Sequence, residues 1–362
     1  MRQTNNLSLS LFQPLRVCRQ PAALGCLLAL TSAWASAQPS YWLVDLGTLG
    51  GSSSYGTAIN NRGQVTGEAD TDDDAETHAF LSTNGGPMKD LGTLGGSYSW
   101  GYAINNRGQV TGVAGDSFDS PTAFLSTAGG PMQSLGTLDS GEVSGGGDIN
   151  NRGQVTGDSA TDEWTDVHAF LSTAGGPMQD LGTLGGTYSS SSAINNRGQV
   201  TGFASTTNEW TDVHAFLSTN GGPMQDLGTL GGTESYGDAI NERGQVTGYA
   251  TTDGNAETHA FLSTNGGPMK DLGTLGGTFS RGLAINERGQ VVGYSATDGD
   301  PAPHAFLSTA GGPMRDLNLL VANPLRGLVL SEAVDINDRG QIVANGCAIS
   351  LDGCHAFRLD PL

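Results

Sequence analysis

Apolar residues come in short bursts along most of this chain, each cut off by glycine and polar residues. In the first full unit, Thr57 to Asn60 meets the turn Asn61-Arg62-Gly63 and returns as Gln64 to Ala69. An acidic stretch, Asp70 to Glu76, precedes a third burst, His78 to Ser82, and Asn84-Gly85-Gly86 turns it into a fourth, Met88 to Gly92. Bursts of this length, bounded by Gly, Asn and Asp, predict four short β-strands with tight turns and no helix. Gly63 stands where a type I turn followed by a bulge needs a positive φ.

The pattern repeats. The isoleucine of I-N-x-R-G recurs at Ile59, Ile104, Ile149, Ile194, Ile240, Ile285 and Ile336, a period of roughly 45 residues. The aromatic of A-F recurs seven times, from Phe80 to Phe357, and the leucine of D-L-G recurs from Leu46 to Leu317. The phase is offset: a D-L-G segment at Asp45 precedes the first unit, and none follows His355. Four antiparallel strands per period of this length match a propeller blade. The expected fold is therefore all-β: a seven-bladed β-propeller whose N-terminal strand, Tyr41 to Gly47, completes the last blade beside His355 to Asp360 and removes exposed sheet edges. A solenoid is the alternative, but its ends would read as caps rather than as complements.

The motifs N-N-R-G-Q-V-T-G and H-A-F-L resemble the HAF-repeat family of extracellular repeat proteins across residues 41–360. The resemblance implies export and repetition, and no catalytic residues. One unit departs from it, with Pro121-Thr122-Ala123-Phe124 in place of H-A-F and Ser134 in place of Asp.

Residues 1–37 read as a secretory signal, with Arg2, Arg16 and Arg19 before the apolar stretch Ala22 to Leu30 and an A-x-A site at Ala35-Ser36-Ala37. Residues 38–362 then form one domain, secreted or periplasmic. Removing three arginines and no acid takes the net charge from −20 to −23. Such a surface repels nucleic acid and anionic membranes. Cys347 and Cys354 remain, seven apart, and in an exported chain read as a disulfide; two cysteines do not complete a zinc shell.

Residues found in every copy are scaffold candidates. The histidines (His78, His168, His214, His259, His304, His355) fall in different blades, which favours a hydrogen bond within each blade over metal binding. The turn arginines, Arg62 to Arg339, are expected to pair with the Asp of D-L-G or, as an alternative, to form an anion-binding ring. The acidic loops suit solvent; Ca²⁺ would accept such oxygens, but Asp70-x-Asp72-x-Asp74 lacks the glycine and glutamate of an EF-hand loop. No cofactor is implied.

What varies is more telling. After a serine present in all copies, the next residue runs Tyr55, Trp100, Gly145, Ser190, Tyr236, Arg281, Glu332, and two further on Thr57, Tyr102, Gly147, Ser192, Asp238, Leu283, Val334. Spaced by two, they would share one face of the strand lining the channel. Tyr55, Trp100, Tyr102 and Tyr236 would stack on a ligand, Asp238, Arg281 and Glu332 would hydrogen-bond it, and Trp164 and Trp210 would flank the same mouth. The alternative is drift of copied loops.

No nucleophile–base pattern or metal-site motif emerges, so no catalytic or metal residue is assigned. The expected function is a monomeric, non-enzymatic exported protein that binds a carbohydrate, peptide or surface component without entering a membrane. A polysaccharide hydrolase or lyase is the second reading, and would need Asp238 and Glu332 as its acid and base with Arg281 between them. A structural or adhesive role is the third; no anchor is seen after Leu362.

Overall fold

The chain is described by a computed structural model covering residues 40–115, 121–127, 129–139, 141–161, 166–173, 176–208, 212–299, 302–348, 351 and 354–362. The signal reading (residues 1–37), Trp164 and Trp210 lie outside the described residues. Among those described the fold is all-β, with three short 3-10 turns as its only helical segments. Among the described residues no helix is long and apolar enough to cross a membrane.

The first unit comprises Gly50–Ile59, Gln64–Thr71, Thr77–Thr83 and Lys89–Asp90, each antiparallel to the next. The same four-stranded order recurs in the next five units. The turn expected at Gly63 is present, with φ +75°. In the last unit, Val329–Ile336, Ile342–Cys347 and Cys354–Pro361 are joined by Tyr41–Asp45, which pairs antiparallel with Cys354–Pro361 from Tyr41↔Pro361 to Asp45↔Phe357. Cys347 and Cys354 are cross-strand partners joined by a disulfide.

Apolar residues pack between units rather than within them. Ala79, Leu81 and Leu91 of the first unit meet Ile104, Val110 and Phe124 of the second. The same arrangement joins the last unit to the first, through Val343 and Ala356 against Ile59, Val65 and Phe80. The seven A-F phenylalanines, Phe80 to Phe357, are fully buried. A four-stranded unit this small cannot bury a core alone, so neighbour contacts hold the fold.

Two sets of hydrogen bonds run from unit to unit at the end where the N-x-R-G turns lie. In the first, the Asn60 amide donates to the Asn105 carbonyl at 2.9 Å, and the relation continues through Asn150, Asn195, Asn241, Asn286 and Asn337, whose amide returns to the Asn60 carbonyl at 3.0 Å. In the second, the backbone N–H of Asn61 donates to the Asn106 side chain, and the series passes through Asn151, Asn196, Glu242 and Glu287 to Asp338, which donates back to Asn61. The same asparagine series shapes its own turn: Asn60 Oδ1 accepts from the N–H groups of Arg62 and Gln64. The asparagines therefore both shape the turns and tie neighbouring units together.

The histidines behave as expected, and the arginines do not. Each histidine Nδ1 lies 2.8–2.9 Å from the D-L-G carboxylate of its own sheet, as in His78–Asp90 and His355–Asp45. The expected Arg–Asp pairing is thus wrong. The aspartate sits opposite the phenylalanine, as in Phe80↔Asp90, one strand away from His78 and well along from the turn that carries Arg62. All seven turn arginines are exposed.

The repeated serine is scaffold as well. Ser99 Oγ donates to the Gly92 carbonyl and accepts from the N–H of Ala79, stitching the first strand of one unit to the third strand of the unit before. Ser144, Ser189, Ser235 and Ser280 make the same two bonds.

Candidate functional site

The residues that differ between copies meet across the first two strands of each unit. Tyr55 pairs with Glu68, Trp100 with Val113, Gly145 with Asp158, Ser190 with Phe203, Tyr236 with Tyr249, Arg281 with Tyr294 and Glu332 with Asn345. Directly opposed residues lie on one side of a sheet, so the second strand doubles the variable surface. Sequence reasoning missed this second set, although the residue after V-T-G differs between copies as plainly as the one after the serine.

The expected two-residue alternation is corrected by the structure. The second variable position of every first strand, from Thr57 to Val334, is the extra residue of a β-bulge. A bulge re-aims the side chain it carries. Thr57 Oγ1 accordingly donates to the Gly101 carbonyl of the next unit at 2.5 Å, and Asp238 turns to the next unit's Arg281.

Around the fourth to sixth units these side chains form an aromatic arc. Tyr236 stacks on Tyr249 at 4.6 Å with planes 9° apart, Phe203 lies 4.8 Å from Tyr236, and Tyr188 lies 5.6 Å from Phe203. The Arg281 guanidinium sits 4.7 Å over the Tyr249 ring and donates to both Asp238 oxygens at 2.8 and 2.7 Å. Burial works against the Arg281 charge, but Asp238 more than offsets it. Burial raises the Asp238 carboxyl, and Arg281 pulls it back.

The first to third units supply carboxylates instead. Burial, reinforced by Asp70, pushes Glu68 up to about 7. Burial also raises Asp158, which accepts from Ser190 Oγ at 3.0 Å. Burial and then the charge of Glu68, with Tyr98 and Asp158 adding, hold the Tyr102 phenol protonated. Trp100 packs 5.1 Å from Tyr98. Beside these lies a crevice of about 250 Å³ between the second and third units, lined by Trp100, Tyr102, Val143, Gly145 and Asp158. Its counterpart of about 260 Å³ between the fifth and sixth units is lined by Tyr249, Phe279, Arg281 and Tyr294.

The three predicted hydrogen-bonding groups, Asp238, Arg281 and Glu332, are already engaged. Glu332 accepts from the Tyr55 hydroxyl and from Asn345. Asp238 is held by Arg281. In the first acidic loop, Asp74 accepts from the Ser52 N–H and hydroxyl, and Asp70 accepts from Thr77. Among the described residues no cluster of three or more His, Cys, Asp or Glu side chains is arranged to hold a metal.

At the end where the N-x-R-G turns lie, a cavity of about 210 Å³ is lined by the Ile and Asn series and by Asp148. Asp148 and Asp335 stand where the other units have alanine before the isoleucine. Each bridges two units: Asp335 accepts from Ile336 and from Ile59, and Asp148 from Ile149 and from Ile194, all at 2.7–2.8 Å. Burial pushes Asp148 up to about 6 and Asp335 up to about 7, the latter helped by the charges of Asp148 and Asp338. A carboxyl raised on folding binds more protons in the folded than in the unfolded state between roughly pH 4 and 7, so its contribution is complete at low pH and lost as pH rises through 7. Asp335→Ala, which restores the residue of five other units, is expected to flatten the fall in melting temperature between pH 4 and 8. Parallel melting curves for variant and parent across that range would refute it.

No family model matches the chain, and no curated protein matches it in sequence. Solved structures do resemble it. The beta-propeller domain of the Trilobed protease from Pyrococcus furiosus matches with a TM-score of 0.55 at 10% identity, over 85% of this chain and 93% of that one. The fold is a β-propeller. Streptogramin B lyase matches with a TM-score of 0.54 at 13% identity, over 89% of this chain and 98% of that one. TolB from Acinetobacter baumannii gives a TM-score of 0.48 at 10% identity over 76% of this chain, which spans 62% of TolB's length.

Proposed function

We propose that the chain is an exported, non-enzymatic propeller of seven blades, closed by its N-terminal strand, that binds a carbohydrate or peptide at the channel mouth. The asparagine series that returns to Asn60 and the pairing of Tyr41–Asp45 with Cys354–Pro361 support closure. The Cys347–Cys354 disulfide supports export, as does the signal reading of residues 1–37. The repeated motif supports membership of the HAF-repeat family.

One observation carries the binding reading. The repeated His, Asn and Ser residues are engaged in the scaffold, while the positions that differ between copies gather at one mouth as an aromatic arc beside charged groups. Exposed aromatic faces next to a few fixed polar groups suit sugars and peptides. The test is the double variant Trp100→Ala, Tyr236→Ala on glycan and peptide arrays. Signals for the parent's ligands should drop at least tenfold, and an unchanged array profile would remove the mouth as the site.

A polysaccharide hydrolase or lyase is the second reading. Glu68, with a carboxyl near 7, favours it, because a general acid is most effective with a pKa near the working pH. Product release from a bound glycan, abolished by Glu68→Gln, would decide for the enzyme.

A further inference from the structure

We propose that the crevice between the second and third units receives one planar cation, the guanidinium of an arginine on a peptide partner. The inference rests on the mouth being a binding surface and adds the chemistry of the ligand.

The argument starts from the protein's own arginine. Between the fifth and sixth units, Arg281 lies over the Tyr249 ring and is held by both oxygens of Asp238. A carboxylate beside an aromatic face is a receptor for a flat cation. The same crevice recurs three units earlier with the same ingredients exchanged. There the bulged residue is aromatic, Tyr102, where Asp238 stands, and the cross-strand residue is acidic, Asp158, where Tyr294 stands. The residue equivalent to Arg281 is Gly145. One crevice carries its cation within the chain; the other has the aromatic walls and the carboxylate without one.

The glycine is not dictated by packing. A Cβ on Gly145 would lie 3.4 Å from Val113 Cγ1, an ordinary contact, and its φ is not in the left-handed region. Gly157, by contrast, has no room, since a side chain there would run into the Gly145 carbonyl. A side chain at 145 is therefore sterically acceptable, and its lack keeps the crevice open. The carboxylate is also prepared: Ser190 bonds Asp158 Oδ1 at 3.0 Å, leaving Oδ2 without a hydrogen-bond partner among the described residues. Glu68, whose charge reaches Tyr102, adds negative potential at the same place. A sugar would use the Trp100 face as well, but would gain little from this excess of negative charge.

The probes are three peptides, acetyl-Gly-Arg-Gly-amide, its lysine analogue and its citrulline analogue, which keeps the shape and loses the charge. Each is titrated calorimetrically into the full chain. The arginine peptide should bind at least tenfold more tightly than the citrulline peptide and more tightly than the lysine peptide. Asp158→Asn should weaken it at least tenfold. Gly145→Arg should supply the cation from within and abolish binding, with a melting temperature no lower than the parent's; Trp100→Ala, the second variant should Gly145→Arg fail to fold, should also weaken binding. Equal affinity for arginine and citrulline peptides, or full binding by folded Gly145→Arg, overturns the assignment. Glycan binding retained with no peptide binding also overturns it, while leaving the mouth as a binding surface. Loss of both ligand classes from the parent would instead overturn the binding reading itself.

Discussion

Arg281→Ala is expected to destabilise the protein by about 3 kcal/mol, the lower end for breaking a buried ion pair because the arginine is partly exposed. The asymmetry of the pair sets the size: the Asp238 side chain is 9% exposed and Arg281 36%. Removing the arginine deletes two charge-assisted bonds and the contact with Tyr249, and strands a carboxylate among aromatic rings. The effect depends on pH in a defined direction. Burial already raises Asp238, and without Arg281 nothing pulls it back. The variant's carboxyl then folds best protonated, so the loss is smaller at pH 5 than at pH 8. Urea unfolding of parent and variant at both pH values measures it, with Arg288→Ala, at an exposed turn arginine, as control. A loss equal to that of Arg288→Ala, or one independent of pH, would show that the pair contributes nothing beyond a surface contact.

Asn195→Ala is expected to cost a similar amount, about 3 kcal/mol, since two backbone donors lose their acceptor and a neighbouring carbonyl loses its donor. Asn195 is 4% exposed. Its Oδ1 accepts from the N–H groups of Arg197 and Gln199 at 3.0 Å, and its amide donates to Gln199 at 2.8 Å and to the Asn241 carbonyl at 3.0 Å. Asn195→Asp separates the two roles. It keeps the acceptor for the turn and replaces the donor between units with an oxygen facing a carbonyl. That variant should approach the parent at acid pH, where the carboxyl is protonated, and weaken as the pH rises. A urea midpoint for Asn195→Ala within error of the parent would mean that the asparagine series does not hold the units together.

The scaffold was legible in the sequence to a considerable depth. The strand bursts, the positive-φ turn glycine, the histidine bond in the six units that carry a histidine and the pairing of the N-terminal strand with the last unit all follow from spacing and phase. The arginine partner was misassigned because strand order does not say how far along a strand a carboxylate lies; Phe80↔Asp90 places it beside His78. The site was legible in half. Variation between copies marked Tyr55, Trp100 and Arg281, but the cross-strand residues Glu68, Asp158 and Tyr249 were overlooked for lack of a register.

The sequence by itself determined the repeating unit, the number of copies and which residues are free to differ, because strand period and turn chemistry are local properties. Only the tertiary structure decided which of the differing residues meet. A bulge at each second variable position turns side chains toward the next unit, so Asp238 finds Arg281 and Tyr102 faces a crevice floored by Gly145 and Asp158. Contacts between copies depend on where a backbone bends, and seven nearly identical sequences carry no local mark of which neighbour each will touch.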